Sequence, residues 1–258
     1  MPLQRLNWNE RNYRSLQRFI TILGKNDIAV FDWDNTCIFG DIGEAVLRHQ
    51  ALYLAFKFSP KRLREIIPDQ VNGIGHILSD GHTLPLPELK EQIVVAYEKI
   101  CNRRLAEVRA TSFYRDFSAG LLALNQGLEQ TPGIGCEFAY LWTINFLQGF
   151  SEAEVRRLAA AVIAGELRKR IKSRCLSDSR QRLFYRWTAG IRLFPEMADL
   201  ARALKRAGCR IIVSTASNPQ IIETMMQHTH FPADRVIGMD ARSENGILQG
   251  SLAPGLAP

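Results

Sequence analysis

Two aspartates stand two positions apart, directly after a short apolar run. Asp32 and Asp34 follow residues 28–31 and precede Asn35 and Thr36. Where a strand breaks into a loop, two such carboxylates can do different work, one attacking a substrate and the other handling protons. A carboxylate that attacks an anionic phosphate ester needs a cation to offset the repulsion, and Mg²⁺ prefers oxygen ligands. The pair therefore predicts magnesium-dependent phosphate-ester chemistry through an aspartyl-phosphate intermediate.

The apolar run before the aspartates predicts the strand that must position them. Ile28–Phe31 shows no polar alternation, which is typical of a buried central strand in a parallel sheet covered on both faces. Asp32 then stands at the carboxyl end of that strand, where open α/β sheets place their ligands. A helix is predicted ahead of it, from near Trp8 to Leu23, because apolar residues recur there at helical spacing and Gly24 ends the pattern.

A second strand and its following helix lie far along the chain. A helix that ends at Gly208 leads into residues 209–213, which are predicted to form another buried strand, and Ser214 and Thr215 stand at its carboxyl end. A new helix is predicted to begin at Pro219. This strand, loop and helix would point backbone N–H groups at an anion.

The stretch between the two strands predicts a second domain. Residues 42–193 have the pattern of an almost wholly helical segment, with a capping box at Ser151–Glu154. Because it separates two strands that look like neighbours, we interpret it as a helical insertion. Residues 1–41 and 194–258 would then form the α/β core.

The end of the chain has a different pattern. Asn245 and Gly246 lie between the apolar runs 236–239 and 247–248, which predicts a β-hairpin with a loop of two or more residues. Residues 252–258 show no periodicity and are predicted to be an unstructured tail.

The positive charge is concentrated in one region. The formal net charge is +7, and residues 151–190 contain ten Lys or Arg against four acidic residues. This region, expected to be helical, is either a solvated basic face or a surface that attracts anionic substrates or polyanions. Nucleic-acid binding is disfavoured because aromatic residues among the basic ones are confined to Phe184, Tyr185 and Trp187.

Composition excludes several classes of protein. The N-terminal residues are polar and rich in Arg, and no later stretch offers eighteen uninterrupted apolar residues, so we expect a soluble, cytoplasmic protein without a membrane partner. Five scattered cysteines without a Cys-x-x-Cys pair disfavour a disulfide framework or a zinc knuckle.

At these residues the chain resembles a known family. The run Asp32 to Thr36 after an apolar strand looks like the first motif of the haloacid dehalogenase superfamily, and residues 211–214 look like its second. The insertion after the first motif is similar to the helical cap of phosphoserine-phosphatase-like members. Residues 39–47, with the helix at 8–19, resemble the phosphorylcholine phosphatase branch. The resemblance implies a Rossmann-like, doubly wound parallel sheet with a helical cap.

The resemblance also implies roles for individual residues. Asp32 would be the nucleophile and a Mg²⁺ ligand, and Asp34 the general acid and base that gives its backbone carbonyl to the metal. Ser214, with Thr215 as the alternative, would hold the phosphoryl oxygens, and Asn35 is grouped with these phosphate-binding residues.

Two further acidic residues are candidates for substrate contact. Asp41 falls where related enzymes carry an acidic residue facing the substrate, and Glu44 lies close by at the start of a predicted helix. Such a pair suits a cationic amine or quaternary ammonium group on a small phosphorylated metabolite. A solvated first helical turn, where acids favour the helix dipole, is the equal alternative.

The sequence departs from the family pattern near its end. The superfamily also uses a lysine and a later Gly-Asp motif, and no Gly-Asp-x-x-x-Asp follows Ser214. The expectation is that the chain lacks the last part of the catalytic domain, with one strand and one metal carboxylate missing. Two hypotheses follow: a phosphatase of small polar phosphate esters, impaired by truncation, or a non-catalytic protein that binds a phosphorylated ligand or a partner.

Overall fold

The structure is a computed structural model that describes residues 3–253. Its helices, in chain order, are α1 Glu10–Ile22, α2 Ile42–Tyr53, α3 Pro60–Ile66, α4 Leu86–Ile100, α5 Leu105–Val108, α6 Ser112–Gln130, α7 Cys136–Thr143, α8 Glu152–Arg168, α9 Pro195–Arg206 and α10 Pro219–Thr229. Its strands are β1 Ile28–Phe31, β2 Ile38–Phe39, β3 His76–Ser79, β4 His82–Pro85, β5 Lys172–Ser177, β6 Phe184–Ala189, β7 Arg192–Leu193, β8 Arg210–Ser214, β9 Arg235–Ile237, β10 Ala241–Glu244 and β11 Ile247–Leu252.

The chain divides into two compact units. The first contains the described residues up to Gly43 together with Val155–Ile171 and Ala189–Asp240. The second contains Glu44–Glu154, Lys172–Thr188 and the described residues from Ala241 onward. The predicted division was a single insertion of residues 42–193. In the structure, α8 and β7 lie within that range but belong to the unit of the parallel sheet. The β10–β11 hairpin lies outside that range but belongs to the second unit.

The first unit is built on a three-stranded parallel sheet in the order β1-β8-β9. Ile28 pairs with Arg210 at the start of β1, and Phe31 pairs with Val213 at its end. The predicted mixed α/β class with a parallel sheet is confirmed. A separate antiparallel pair, β2 with β7, follows the loop after β1.

Local sequence signals gave the right helices around this sheet. Helix α1 begins at Glu10, where the Asn9 side chain accepts a hydrogen bond from the backbone of Asn12. Helix α10 begins at Pro219, and the Asn218 side chain caps it in the same way. Both helices lie within two residues of their predicted starts, because capping side chains and a first-turn proline act locally.

Strand β1 is not covered on both faces, and this part of the prediction was wrong. Ile28 is 54% exposed and Val30 62% exposed, whereas Phe31 is buried. Within residues 3–253, β1 forms one edge of the sheet. An apolar run without alternation fits an edge strand with one open face as well as a fully buried one, so periodicity could not separate the two.

The second unit packs around α4 and α6. Its core contains Ile93, Phe117 and Leu121, all fully buried. Gly127 of α6 lets the β3–β4 hairpin approach, since a Cβ there would lie 2.5 Å from the Cδ1 atom of Ile77. A side chain at this position would force the hairpin away from the helix.

The prediction of an almost wholly helical insertion was wrong at two hairpins. Strands β3 and β4 pair with each other, as do β5 and β6. The basic region is therefore not one helical face: α8 ends at Arg168, and the cations from Lys172 to Arg186 lie on the β5–β6 hairpin and its turn. In β6, buried Tyr185 is followed by exposed Arg186, as expected for the two-residue period of a strand. This alternation is too short to be distinguished in the sequence from the helical pattern that precedes it.

The predicted Asn-Gly hairpin is confirmed as β10–β11. Asn245 and Gly246 form a two-residue loop with φ of 50° and 77°, as a type I′ turn requires. Strand β11 extends to Leu252, so the predicted tail does not begin there, and residues 254–258 of that tail lie outside the described residues. The apolar run 236–239 contributes to β9 of the parallel sheet and not to this hairpin.

No helix in the described part of the chain is long and apolar enough to cross a membrane.

The unequal covering of the sheet can be tested with two isosteric substitutions. Val213→Thr should lower the free energy of unfolding by about 1–3 kcal/mol, because Val213 is fully buried and the new hydroxyl would lose its water. Val30→Thr should change it by less than about 0.5 kcal/mol. Urea unfolding followed by circular dichroism measures both. Equal losses would mean that the outer face of β1 is covered in the folded protein.

Candidate active site

The candidate site lies at the carboxyl ends of β1 and β8. Asp32 directly follows β1, and Ser214 is the last residue of β8. Near these ends, Phe31 of β1 pairs with Val213 of β8. Both side chains are exposed. The two residues, which were predicted separately from the sequence, therefore lie together at the carboxyl end of the parallel sheet.

The loop after β1 turns around a buried tryptophan. The carbonyl of Trp33 accepts hydrogen bonds from the backbone N–H groups of Thr36 and Cys37. The indole is fully buried and meets the ring of Phe231 edge-on, with centroids 5.0 Å apart. Trp33 lies between the two aspartates in sequence. Its burial and the tight turn therefore hold the backbone of both Asp32 and Asp34 in place.

Asp32 has one partner among the described residues. The Thr36 hydroxyl donates to its Oδ2 atom over 2.5 Å. The Oδ1 atom accepts no hydrogen bond within residues 3–253. An exposed carboxylate with one free oxygen at a strand end can attack a substrate or bind a cation.

Asp34 is held on both carboxylate oxygens. Its Oδ1 accepts a hydrogen bond from the backbone N–H of Ile42 over 2.9 Å, and its Oδ2 accepts one from the Ser217 hydroxyl over 2.9 Å. A Cβ on Gly43 would lie 2.7 Å from the Ser217 Oγ and 3.3 Å from the Asp41 Oδ1. The absence of a side chain at Gly43 thus lets the start of α2 and the loop after β8 close around Asp34.

The surroundings of Asp34 favour its protonated form. Burial raises the pKa of this carboxyl first, and the neighbouring charges of Asp41 and then Asp32 raise it further. Hydrogen bonds from Ile42 and Ser217 act in the opposite direction, yet the pKa remains well above the usual range. The site therefore holds two carboxyl groups in unlike environments, one exposed and one favoured as the neutral acid.

The same charges act on a thiol in the loop. Burial, followed by the charges of Asp32 and Asp34, raises the pKa of Cys37 to about 12. Cys37 is fully buried. The thiolate form is therefore suppressed, and Cys37 has no role as a nucleophile here.

Ser214 and Thr215 differ in how their hydroxyls are used. The Thr215 backbone donates to the Ile237 carbonyl, and its hydroxyl oxygen accepts from the Ser217 backbone over 3.0 Å. The hydroxyl of Ser214 makes no hydrogen bond to any residue from 3 to 253. Of the two alternatives left by the sequence, Ser214 has the hydroxyl that is free for a ligand.

Asn35 closes the loop that precedes β2. It adopts a left-handed conformation with φ of 56°, and its N–H donates to the Gly40 carbonyl. Its Oδ1 accepts from the Gly40 N–H over 3.1 Å. Its side-chain amide nitrogen has no intramolecular hydrogen bond in the described chain, and it is the side-chain donor that could contact phosphate.

The two candidate substrate residues have different positions. Asp41 is half-buried, and its charge acts on Asp34. Glu44 is exposed in the first turn of α2 and belongs to the second unit. Asp41 joins the cluster, whereas Glu44 occupies the kind of position where an acidic residue favours the helix dipole.

Ser217 was missed by sequence reasoning. Its hydrogen bond to Asp34 spans 183 residues, and nothing local marks it. The available signal was weak: a hydroxyl residue three positions after Ser214, just before the helix cap at Asn218.

The donors suit a shared cation better than a closed metal cage. Residues 3–253 contain no group of three or more His, Cys, Asp or Glu side chains that could hold a metal ion. Mg²⁺ in phosphoryl-transfer sites is often bound by one or two carboxylates together with substrate phosphate and water. The free oxygen of Asp32, with the backbone carbonyl of Asp34 that the family resemblance implies, fits that shared arrangement.

The protonation of Asp34 can be tested through stability. Because its folded pKa is raised, the stability it contributes is complete below the unfolded pKa of about 3.9 and is lost as pH rises through the folded pKa. Asp34→Asn mimics the neutral acid. The variant should gain stability relative to wild type as pH rises from about 4 to 7, measured by urea unfolding in EDTA.

Asp234→Asn is a control with the opposite sign. The Ile211 N–H and then Lys205 lower the pKa of Asp234. Its stabilising contribution is present above the unfolded pKa and is lost as pH falls through the folded pKa. This variant should therefore be weaker than wild type near pH 7 and approach it on acidification. Parallel pH profiles for the two variants would contradict the assignment for Asp34.

Comparison with known proteins establishes the fold and no more. No protein-family model and no curated protein matches the chain. A protein of unknown function from Anaerococcus prevotii DSM 20548 superimposes with a TM-score of 0.81 at 24% identity, over 97% of this chain and 73% of that one. At this identity the likeness concerns the fold alone.

Two weaker structural matches belong to named hydrolases. A HAD family hydrolase from Salmonella enterica serovar Typhi has a TM-score of 0.38 at 10% identity, covering 99% of this chain and 58% of that one. Cytosolic 5′-nucleotidase IIIB bound to cytidine has a TM-score of 0.43 at 12% identity, covering 96% and 60%. Scores this low carry no argument about this chain, which therefore shares its fold with a structure of unknown function.

Proposed function

We propose that the chain is a phosphatase-type hydrolase that acts on small polar phosphate monoesters through an aspartyl-phosphate. The observation that carries the proposal is the unlike environment of the two carboxyl groups. Asp32 is exposed at the end of β1, whereas Asp34 is half-buried, oriented by Ile42 and Ser217, and favoured as the acid. Paired groups with such different surroundings are how one site supplies both a nucleophile and a proton donor. The resemblance to the haloacid dehalogenase superfamily points the same way.

The first chemical step uses both groups. A carboxylate oxygen of Asp32 attacks phosphorus, the bond to the leaving oxygen breaks, and that oxygen takes the proton of Asp34. The products are an alcohol, an acyl phosphate on Asp32 and the carboxylate of Asp34. The raised pKa of Asp34 favours the protonated form that this step requires.

The second step returns both groups to their starting state. Water attacks the phosphorus of the acyl phosphate while Asp34 takes its proton. The bond between phosphorus and the Asp32 oxygen breaks, which releases inorganic phosphate and regenerates the Asp32 carboxylate. Asp34 therefore acts as acid in the first step and as base in the second.

The other residues bind and orient the phosphate. The free hydroxyl of Ser214 and the side-chain amide of Asn35 would donate to phosphoryl oxygens. Mg²⁺, held by Asp32 and the Asp34 carbonyl, would supply charge neutralisation when bound. Asp41, beside Asp34, favours a metabolite that carries an amine, in keeping with a cytoplasmic enzyme of small molecules.

Replacement of the nucleophile is the direct test. Asp32→Asn should lower the hydrolysis of p-nitrophenyl phosphate with Mg²⁺ by about 10³-fold or more. Asp27→Asn is the matched control at the other end of β1, where the Asp27 carboxylate accepts a hydrogen bond from the Gly24 backbone N–H. Its rate should stay within about twofold of wild type. Equal rates for wild type and Asp32→Asn would contradict the aspartyl-phosphate mechanism.

The acid role of Asp34 predicts a dependence on the leaving group. An alkyl alkoxide needs a proton far more than p-nitrophenolate does, so general acid catalysis matters mainly for alkyl esters. Asp34→Asn should slow an alkyl phosphate by about 10²-fold more than it slows p-nitrophenyl phosphate, as measured by phosphate release. The same loss on both substrates would assign Asp34 to positioning and not to proton transfer.

A second candidate function is binding without turnover. The observation that favours it is the absence, among residues 3–253, of a third carboxylate for a metal. On this alternative, inorganic phosphate would raise the melting temperature of the wild type, Ser214→Ala would abolish that rise, and Asp32→Asn would leave the hydrolysis rate unchanged. The two candidates therefore separate on the rate of Asp32→Asn.

A further inference from the structure

A cavity of about 630 Å³ lies within the second unit, apart from every residue of the candidate active site. It is bordered by α4, the first turn of α6, the end of β4 and the turn between β5 and β6. Its walls include Leu89, Val95, Phe113 and Leu183. Val95 is 36% exposed and Phe113 40% exposed, so the cavity leaves apolar surface open to solvent. Its volume is in the usual range for small-molecule sites, which is about 300–1,000 Å³.

Two arginines line this cavity from an ordered turn. Arg180 and Arg182 lie in the loop between β5 and β6. The buried Asp178 accepts hydrogen bonds from the backbone of Arg182 over 2.7 Å and of Leu183 over 3.1 Å. The Ser179 backbone donates to the Asp116 carboxylate of α6 over 2.7 Å. The turn is thus fixed from both ends, and it holds both arginines at the cavity.

These arginines share the cavity lining with three carboxylates, Glu88, Glu91 and Asp116. Within the described part of the chain, neither Arg180 nor Arg182 forms an ion pair. Of the lining carboxylates, Glu91 already binds Arg64 through two hydrogen bonds, and Asp116 accepts from the Ser179 backbone. Glu88 is exposed in the first turn of α4, where the helix dipole favours an acid.

We propose that this cavity binds a small amphipathic carboxylate, with its apolar body against Leu89, Phe113 and Leu183 and its carboxylate on Arg180 and Arg182. A guanidinium matches a carboxylate in shape and forms two parallel hydrogen bonds with it. The apolar walls recover the hydrophobic contribution of a short aliphatic or aromatic body. The site is independent of the proposed phosphatase activity, because it shares no residue with it.

The probe is 8-anilinonaphthalene-1-sulfonate, whose fluorescence rises in apolar sites, with octanoate and 1-octanol as competitors. Octanoate should displace the probe from the wild-type protein at a concentration about tenfold lower than 1-octanol does, because only the acid engages the arginines. Equal displacement by the alcohol, or no displacement by octanoate, would overturn the proposal.

Three variants locate the effect. The double variant Arg180→Gln, Arg182→Gln should lower the affinity for octanoate about tenfold and leave the affinity for 1-octanol unchanged. Arg115→Gln, an exposed arginine of α6 outside the cavity lining, should leave both unchanged. Glu88→Gln should strengthen octanoate. Thermal unfolding by circular dichroism confirms that each variant is folded. The proposal fails if Arg115→Gln lowers the affinity for octanoate as much as the double variant does. It also fails if Glu88→Gln lowers that affinity.

Discussion

The parallel pairing of β1 with β8 is the constraint on which the candidate site depends. The two strands belong to segments that are separated in sequence by most of the second unit, and the pair Phe31 with Val213 aligns their ends. Because parallel strands end at the same edge of a sheet, Asp32 and Ser214 emerge together, and the loop after β8 brings Ser217 to Asp34 across 183 residues. Loss of this pairing would scatter the carboxylates and the hydroxyls.

Within this arrangement, a single loop gives its two aspartates unlike environments. Trp33 lies in the core between them and fixes the backbone, so that Asp32 remains at the exposed strand end while Asp34 contacts the start of α2. Desolvation and the charge of Asp41 then raise the pKa of Asp34. Packing, therefore, and not the choice of residue type, distinguishes a group suited to attack from one suited to proton transfer.

Features set by neighbouring residues could be predicted, and those set by distant contacts could not. The starts of α1 and α10, the strand ahead of Asp32 and the Asn245-Gly246 turn all depend on a few adjacent residues. The exposure of Val30 depends on what packs across the sheet, and the partnership of Ser217 with Asp34 depends on the fold. The β5–β6 hairpin was concealed because a strand of six residues gives a short periodic signal beside a long helix.

The open side of β1 also bears on how the protein behaves in bulk. Helix α1 has no buried residue, and Ile22 at its end and Ile28 and Val30 of β1 are among the most exposed large apolar residues of the described chain. An apolar strand at a sheet edge is a template for contact between molecules, and contiguous apolar surface promotes self-association. Exposed apolar residues such as these therefore promote association between molecules, which is seen in light scattering, whereas the buried interior sets the melting temperature.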